Sequence, residues 1–477
     1  MEILSVSNNR IGLDFDSVGR WRSNKVNLIT GPNGSGKTEL LTTLADTFRG
    51  ARKLSSRSSV LWKKENNRFR SEYDSVIENG PSRIITQTFS PFTRFPRPLV
   101  ASNSLTSIYS HGMSSEYRYL CIGLHKQSRY VGAGLSRRVL EEAIFRLSET
   151  PESTKTIHRV MRSLGFSDLF RLTYEVTSVL KDALRTSNED RAVRRIQQEF
   201  ESKDSPNIRI AGGLVAELRR SGWDDLAPLL TEALRVLGPE IRGSTKLVRE
   251  FGGADFRDAY EYASLQSLAL LRRLNLLTLK SFELAERSTR PFDVASASSG
   301  QQQMLCSVIG LASALKDQSL VLIDEPELSL HPRWQQQYLQ NLKYTLEPFD
   351  SCHVLIATHS PLIVQQGLRL RAGVIQMATG RQESTKFEPD GMPQSSVEGT
   401  LMDVFDTPVT DSVQLASKIF NAITEAENGD DIARQRSLLS LEHLREIYQD
   451  PAIRDDKSQV LIAEAISLLQ TLGQDNA

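Results

Sequence analysis

Residues 3–16 carry short apolar runs broken by S-N-N-R and D-S-V-G, a pattern that predicts two strands joined by turns. A third strand follows at 26–30. Directly after it, E-L-L-T-T-L-A-D-T-F repeats its apolar residues Leu40, Leu41, Leu44 and Phe48 at helical spacing. The octapeptide between the two, G-P-N-G-S-G-K-T, therefore links a strand to a helix. Residues 52–70 read as basic and irregular, and R-I-I-T-Q-T-F then predicts a strand running into S-P-F-T-R-F-P-R-P. From about 136 to 290 the periodicity becomes that of long amphipathic helices, for example 139–148 and 214–237, punctuated by Pro151, an N-E-D run and G-G-A-D. No heptad is sustained over several turns there, which argues against a long coiled-coil arm. Near Phe292 the strand-and-helix alternation resumes. A helix over 302–315 leads to S-L-V-L-I-D-E, and H-V-L-I-A-T-H-S follows. Such uninterrupted apolar runs predict strands covered on both faces. Beyond Pro361 come a strand at 373–377, a polar stretch over 380–396, and helices to the last residue.

This pattern predicts an α/β fold: a P-loop head built from two halves, 1–135 and 291–397, separated by a helical insertion over 136–290 and followed by a helical region over 398–477. The 477 residues leave room for about three units of roughly 150 each. Composition narrows the partners. The 58 basic and 58 acidic side chains cancel, so a nucleic-acid contact would have to be a local patch. With 39% hydrophobic and 24% charged residues a packed core is feasible and a disordered chain is excluded. The cysteines, Cys121, Cys306 and Cys352, are odd in number and far apart, which supports neither a disulfide framework nor a zinc cluster and fits a reducing cytoplasm. The first residues lack a basic segment followed by an apolar one, and no eighteen apolar residues run together, so neither a signal peptide nor a membrane span is expected.

The loop Gly31, Pro32, Asn33, Gly34, Ser35, Gly36, Lys37 and Thr38 satisfies G-x-x-x-x-G-K-T in the strand-to-helix context that its chemistry needs. Glycines let backbone N–H groups turn in around phosphates, Lys37 reaches the β and γ phosphates of ATP, and the Thr38 hydroxyl is offered to Mg2+. The strand S-L-V-L-I-D-E ends in two carboxylates, which are costly near a buried strand unless a cation or substrate accompanies them. Asp324 is the candidate magnesium ligand, directly or through water, and Glu325 the candidate base for the attacking water. A sheet edge followed by a helix cap is the bland alternative. Two weaker signals accompany these. The A-S-S-G-Q-Q-Q stretch, with Ser298, Ser299 and Gly300, opens a helix and would form a second anion-binding start, although such clusters are common turns. His359 in A-T-H-S-P closes a strand at a place from which a γ-phosphate is within reach, although strand-closing histidines are more often structural.

Loop, serine-glycine signature, acidic strand and histidine in that order resemble the ABC-type heads of the SMC, RecF and OLD ATPase group. E-P-E-L-S-L-H-P-R-W-Q is similar to the D-loop region of its bacterial-defence branch. T-F-S-P-F-T-R-F-P, Y-R-Y-L-C-I-G-L and D-V-F-D-T-P are similar to the Septu-type defence ATPases, the PtuA-like proteins. The resemblance implies a homo-oligomer in which two heads sandwich two ATP molecules, each held by one P-loop and the other protomer's signature. Ser298, Ser299 and Gly300 would then contact the opposing γ-phosphate, His359 would stabilise it, and Gln87 would lie near magnesium as the Q-loop residue. In one respect the chain departs from the family: an acidic residue usually follows the signature, and position 301 is Gln.

The function this implies is a Mg2+-dependent ATPase in an antiphage complex that controls a separate nuclease, with an HNH type favoured and no membrane partner. A DNA-repair or chromosome-associated ATPase shares the ATP residues but predicts a long heptad arm. A self-contained OLD-type nuclease needs a glutamate on one strand and D-x-D on another. Here S-V-E-G-T at 396–400 offers the first, and no D-x-D follows. A transporter ATPase would need a membrane partner. The basic stretch Arg52, Lys53, Arg57, Lys63, Lys64, Arg68 and Arg70, with Trp62 and Phe69 interleaved, is a candidate nucleic-acid contact whose bland alternative is a solvated loop. Residues 411–477 hold twelve acidic and six basic side chains. The stripes Leu438, Leu441, Leu444 and Leu461, Ile462, Ala465, Leu468 there require a cover, either a docked partner or the protein itself.

Overall fold

The computed structural model describes residues 1–8, 10–15, 19–49, 58–96, 119–124, 133–147, 151–167, 169–202, 223–224, 226–252, 259–285, 290–378, 384–387, 396–449 and 456–474. The chain begins with β1 (Glu2–Ser7), β2 (Gly12–Asp14), β3 (Arg20–Trp21), β4 (Asn24–Thr30), α1 (Lys37–Phe48), β5 (Ser59–Lys64), β6 (Asn67–Arg70), α2 (Tyr73–Asn79), β7 (Ile84–Thr88) and β8 (Tyr119–Gly123). Next come α3 (Ala133–Leu147), α4 (Pro151–Ser163), β9 (Phe170–Val176), α5 (Ser178–Ala183), α6 (Glu189–Glu201), α7 (Leu226–Ile241), β10 (Lys246–Phe251), α8 (Ala259–Arg273), β11 (Leu277–Leu284) and β12 (Phe292–Asp293). After a short 3-10 turn at Val294–Ser296 follow α9 (Ser299–Ala314), β13 (Leu320–Asp324), α10 (Pro332–Leu346), β14 (His353–Ala357), α11 (Pro361–Arg369), β15 (Gly373–Gln376) and β16 (Thr385–Phe387). The helices α12 (Val397–Phe405), α13 (Val413–Asn428), α14 (Asp431–Tyr448) and α15 (Asp456–Gln474) complete it. No described helix is long and apolar enough to cross a membrane.

Two compact units result. The first contains Met1–Asp16, Trp21–Val26 and Thr38–Ala357, the second Ser17–Arg20, Asn27–Lys37 and Thr358–Ala477. In the first unit β14, β13, β7 and β8 form adjacent parallel strands, with Leu320 opposite His353 on one side and Ile84 on the other. Every residue of β7, β13 and β14 is buried; the unbroken apolar sequence of β13 and β14 predicts this for strands covered on both faces, whereas β7 buries Thr86, Gln87 and Thr88 as well. His353 is buried in this framework, where its Nδ1 accepts the Ile3 N–H at 2.9 Å.

Two antiparallel sheets of this unit depart from the sequence expectations. Part of the supposedly irregular basic stretch is a hairpin, β5 and β6, in a four-stranded sheet ordered β2-β1-β5-β6. Arg52, Lys53 and Arg57 lie outside the described residues. The insertion is also not purely helical: its strands β9, β10 and β11, with β12 just after it, make a four-stranded antiparallel sheet ordered β10-β9-β11-β12. Phe170, Leu172, Tyr174 and Val176 of β9 are buried at every second position, the period of a half-covered strand. Of the helix expected over 214–237, α7 starts at Leu226, and 214–222 lie outside the described residues.

In the second unit, β15 pairs in parallel with the Asn27–Thr30 part of β4, and β16 adds an antiparallel edge. The apolar stripes of the last helices cover one another. Met402, Leu415, Ile419, Ala422, Leu441, Leu444, Tyr448, Ile462, Ala465 and Leu469 form one buried cluster, on which Leu438 packs. Leu461 and Leu468 point away from it and are half exposed.

Candidate ATP site

The strand-to-helix loop has the backbone its glycines allow. Gly31, Gly34 and Gly36 all take positive φ. At Gly31, with φ of 138°, a Cβ would stand 2.3 Å from the Met377 carbonyl oxygen, so glycine alone fits. The Met377 N–H donates to Thr30 O at 2.7 Å and Thr358 N–H to Ile29 O at 3.0 Å, which fixes the strand from which the loop departs. Lys37 is buried, and its ammonium donates to the carbonyls of Gly31 (2.8 Å) and Pro32 (3.0 Å). The cation thus sits within the curl of the loop, where it can exchange carbonyl oxygens for phosphate oxygens. Pro32, Asn33 and Gly34 are exposed at the tip, whereas Ser35 is buried. His359 lies in the same unit, half-buried between Thr358 and Ser360, and Ser360 caps α11.

In the first unit, Thr38 and Asp324, both assigned to magnesium from sequence, come together. The Thr38 hydroxyl lies 3.1 Å from both carboxylate oxygens of Asp324, which is itself buried at the end of β13. Neighbouring oxygens in an octahedron with bonds of 2.0–2.1 Å stand about 2.9 Å apart, so this hard-oxygen pair suits Mg2+. Next along the chain, Glu325 has φ of 51°, a left-handed conformation that costs a non-glycine residue about 1 kcal/mol or more. Its N–H donates to Ala357 O at 2.9 Å. Glu325 is partly exposed.

Ser298 is the N-cap of α9. Its hydroxyl accepts the Gln301 N–H at 3.3 Å, and the Gln301 amide oxygen accepts the Ser298 N–H at 3.0 Å. That reciprocal capping box accounts for the departure at 301, because glutamine closes it as an acid would, without the charge. Ser298 and Ser299 are exposed while Gly300 is buried. A Cβ on Gly300 would meet Ser329 O at 2.6 Å and the Trp334 ring at 3.3 Å, so the signature turn is pressed against the segment that follows the acidic strand. It is also tied to the insertion. Ser136 donates to Gln302 at 2.7 Å, and Arg137 grips Asp293 with two nitrogens, at 2.8 and 3.1 Å. Ser136 and Arg137 lie outside every motif read from the sequence, and Gln303 and Trp334, though inside the A-S-S-G-Q-Q-Q and E-P-E-L-S-L-H-P-R-W-Q stretches, have no role assigned there.

Gln87, expected near magnesium, lies in β7 opposite Ile323, the residue before Asp324. It is buried in β7, donates to Ser307 O at 3.0 Å and accepts from the Tyr338 hydroxyl at 3.1 Å. Both ends of the amide are engaged between α9 and α10, so a ligand role would require it to leave them. Burial raises the Tyr338 phenol above its usual pKa, which keeps that donor protonated. Trp62 is also unavailable for base stacking. It is fully buried, its indole donates to Asn79 O at 2.9 Å, and its ring packs against Phe48 and Phe69. Glu398, the glutamate that a self-contained nuclease would carry on a strand, sits in the first turn of α12 and accepts from Ser412.

Residues 132–365 match the family described as "AAA domain, putative AbiEii toxin, Type IV TA system". The interval begins at the insertion, takes in the signature and the acidic strand, and ends past His359; the P-loop lies before it. Over 135 residues the chain is 27% identical to "Retron Vc95 probable ATPase" of Vibrio cholerae, covering 28% of this chain and 26% of that protein. Over 69 residues it is 38% identical to "Protein ea59" of Escherichia phage lambda, covering 14% of this chain and 13% of that one. The chain thus matches about a quarter or less of the length of these relatives. Among solved structures it is similar to the Smc head domain of Pyrococcus furiosus bound to the C-terminal domain of ScpA, with TM-score 0.33, 9% identity, and coverage of 82% of this chain and 97% of that chain. The chain therefore has a mixed α/β fold consistent with a P-loop ATPase head, with a G-x-x-x-x-G-K-T loop, a Thr38–Asp324 contact, and similarity to an AAA domain over 132–365.

Proposed function

We propose that this chain is the Mg2+-dependent, ATP-hydrolysing subunit of a bacterial antiphage defence complex, and that it controls a separate nuclease, with an HNH type favoured. The observation that carries the ATPase part is the contact of Thr38 with both oxygens of a buried Asp324, followed at once by the strained Glu325. Likeness to a retron ATPase supports the defence setting. Lys37 would bind the β and γ phosphates, and Thr38 and Asp324 would hold magnesium, which when bound offsets phosphate charge. Glu325 takes a proton from the water that attacks the γ-phosphorus as the bond to the ADP oxygen breaks. In a head-to-head homo-oligomer, Ser298, Ser299 and Gly300 meet the partner's nucleotide, and His359 steadies the transferred group.

The placement of Glu398 on a helix supports assigning the nuclease to another subunit. A chromosome-organising reading calls for a long arm, and among the described residues the longest helix has 19 residues. Any nucleic-acid contact by the β5–β6 hairpin would rest on Lys63, Arg68 and Arg70 meeting phosphates. The test compares Lys37→Ala with Glu325→Gln, reading nucleotide retention and phosphate release. The first should not bind ATP. The second should bind it and fail to cleave it, and normal turnover by the glutamine variant removes Glu325 from the role of base.

A further inference from the structure

Glu325 sits in a conformation that a non-glycine residue keeps only when its surroundings over-determine it. On its N-terminal side the hold is visible, since its own N–H donates to Ala357 O at 2.9 Å. On the other side stands Pro326, which has no N–H to offer and whose carbonyl is the next group that can be gripped. Gln303 grips it. Its side-chain nitrogen donates to Pro326 O at 2.8 Å in a buried bond, and Gln303 itself is 5% exposed.

Gln303 belongs to the first turns of α9, three residues beyond Gly300. The same stretch of helix is pressed on the turn after Pro326 through the close approach of Gly300 to Ser329 O. That turn is closed by Leu328 N–H to Glu325 O at 3.3 Å and Leu330 N–H to Glu327 O at 2.9 Å. A buried carbonyl without its donor would turn toward another partner, and the Pro326 peptide cannot turn without moving the residue before it. An ionised carboxylate at 303 would have no proton to donate and would face the carbonyl oxygen.

We propose that Gln303 is a positioning residue for ATP hydrolysis: by holding Pro326 it fixes the carboxylate of Glu325 and locks it to the signature turn on the same helix. Gln303 touches no nucleotide in this scheme and acts through Glu325. The inference rests on Glu325 being the base.

Gln303→Met keeps the volume and removes the donor. In the full-length protein its kcat should fall at least about tenfold while the dissociation constant for ATP stays within about twofold of the parent. Gln303→Glu restores a donor only while its carboxyl is protonated, so its turnover should approach the parent's in acid and fall as pH rises, a profile the parent lacks. A Gln303→Met protein that turns over at the parent rate, or loses ATP binding together with turnover, overturns the proposal. So does a Gln303→Glu profile parallel to the parent's, which also decides the matter if the methionine variant does not fold. Measuring Glu325→Gln alongside separates the two ideas: turnover there defeats the reading of Glu325, whereas an inactive Glu325→Gln beside an active Gln303→Met defeats only the positioning role.

Discussion

Replacing Gly300 by alanine sets two effects of opposite sign against each other. Within α9 the exchange gains about 1 kcal/mol of helix propensity. Against that, the new methyl carbon would stand 2.6 Å from Ser329 O and 3.3 Å from the Trp334 ring, and contacts under 3.0 Å essentially do not occur, so one side must yield by about 0.4 Å or more. Trp334 belongs to α10, while Ser329 sits in the turn with φ of 63°, so the turn gives way. Overpacking of this kind costs about 1–3 kcal/mol, which leaves a net loss of about 0–2 kcal/mol and a Tm change of no more than a few degrees. Activity should fall as well. The turn that yields is bonded to Glu325 O, so the base is displaced with it; since about 1 Å can cost about a hundredfold in rate, a shift of about 0.4 Å scaled on the logarithm costs about sixfold. Thermal unfolding and steady-state phosphate release on Gly300→Ala would be measured together. A variant that is more stable than the parent and equally active would refute the argument, because it would show that the approach of α9 to the turn is slack.

If the signature acts in trans, a mixture of Lys37→Ala and Ser298→Arg proteins should recover part of the ATPase activity that each lacks alone; no recovery between subunits shown to exchange would count against the sandwich. Burial pushes the thiols of Cys121 and Cys306 up to about 12 and that of Cys352 to about 11, so the native protein should react slowly with iodoacetamide near neutral pH and expose all three on unfolding. Rapid native labelling of Cys306 would contradict the packing of α9. Glu141 is buried, and burial raises its pKa more than Arg272, 2.9 Å away, lowers it. A raised carboxyl pKa means that the folded state holds the proton longer than the unfolded state, so stability should fall as pH rises from the unfolded value near 4.5 through the folded one. Glu141→Gln should flatten that slope in urea unfolding, and an unchanged slope would assign it to other groups.

The parts of the fold that were legible in sequence are those in which one local signal dominates. The unbroken apolar runs at Leu320–Asp324 and His353–Ala357 read as strands covered on both faces, and G-P-N-G-S-G-K-T read as the link between a strand and a helix; the contact of Thr38 with Asp324, both assigned to magnesium from sequence, is a tertiary one. The β5–β6 hairpin was not legible, because its turn residues Glu65 and Asn66 both take positive φ, and a glutamate there lacks the Asn-Gly signature that marks such turns. The F-R-L-T-Y-E-V of β9 does alternate, but it is a short strand among helices. Its neighbour β11 shifts register between Leu279 and Ser281, which breaks the period of two that would have revealed a sheet. Gln87 illustrates another limit: a strand-end glutamine reads the same whether its amide meets a metal or, as here, Ser307 and Tyr338. The leucine stripes of the last helices were visible, whereas their partners, one another, depend on how three helices are brought together.

The contacts around α9 bear on why an insertion stands between the halves of the head. Its first helix, α3, gives Ser136 to Gln302 and Arg137 to Asp293, the residue that caps the 3-10 turn leading into the signature. On its other side α9 gives Gln303 to Pro326 and the Cβ-free face of Gly300 to Ser329. The start of one helix is therefore bonded both to the insertion and to the backbone of Pro326, the residue after the proposed base. Charge-assisted bidentate pairs such as Arg137–Asp293 are directional, so a shift of α3 is carried to the cap and not absorbed by side-chain slack. A shift of α3 therefore has a short covalent and hydrogen-bonded path to the Glu325–Pro326 backbone through the start of α9.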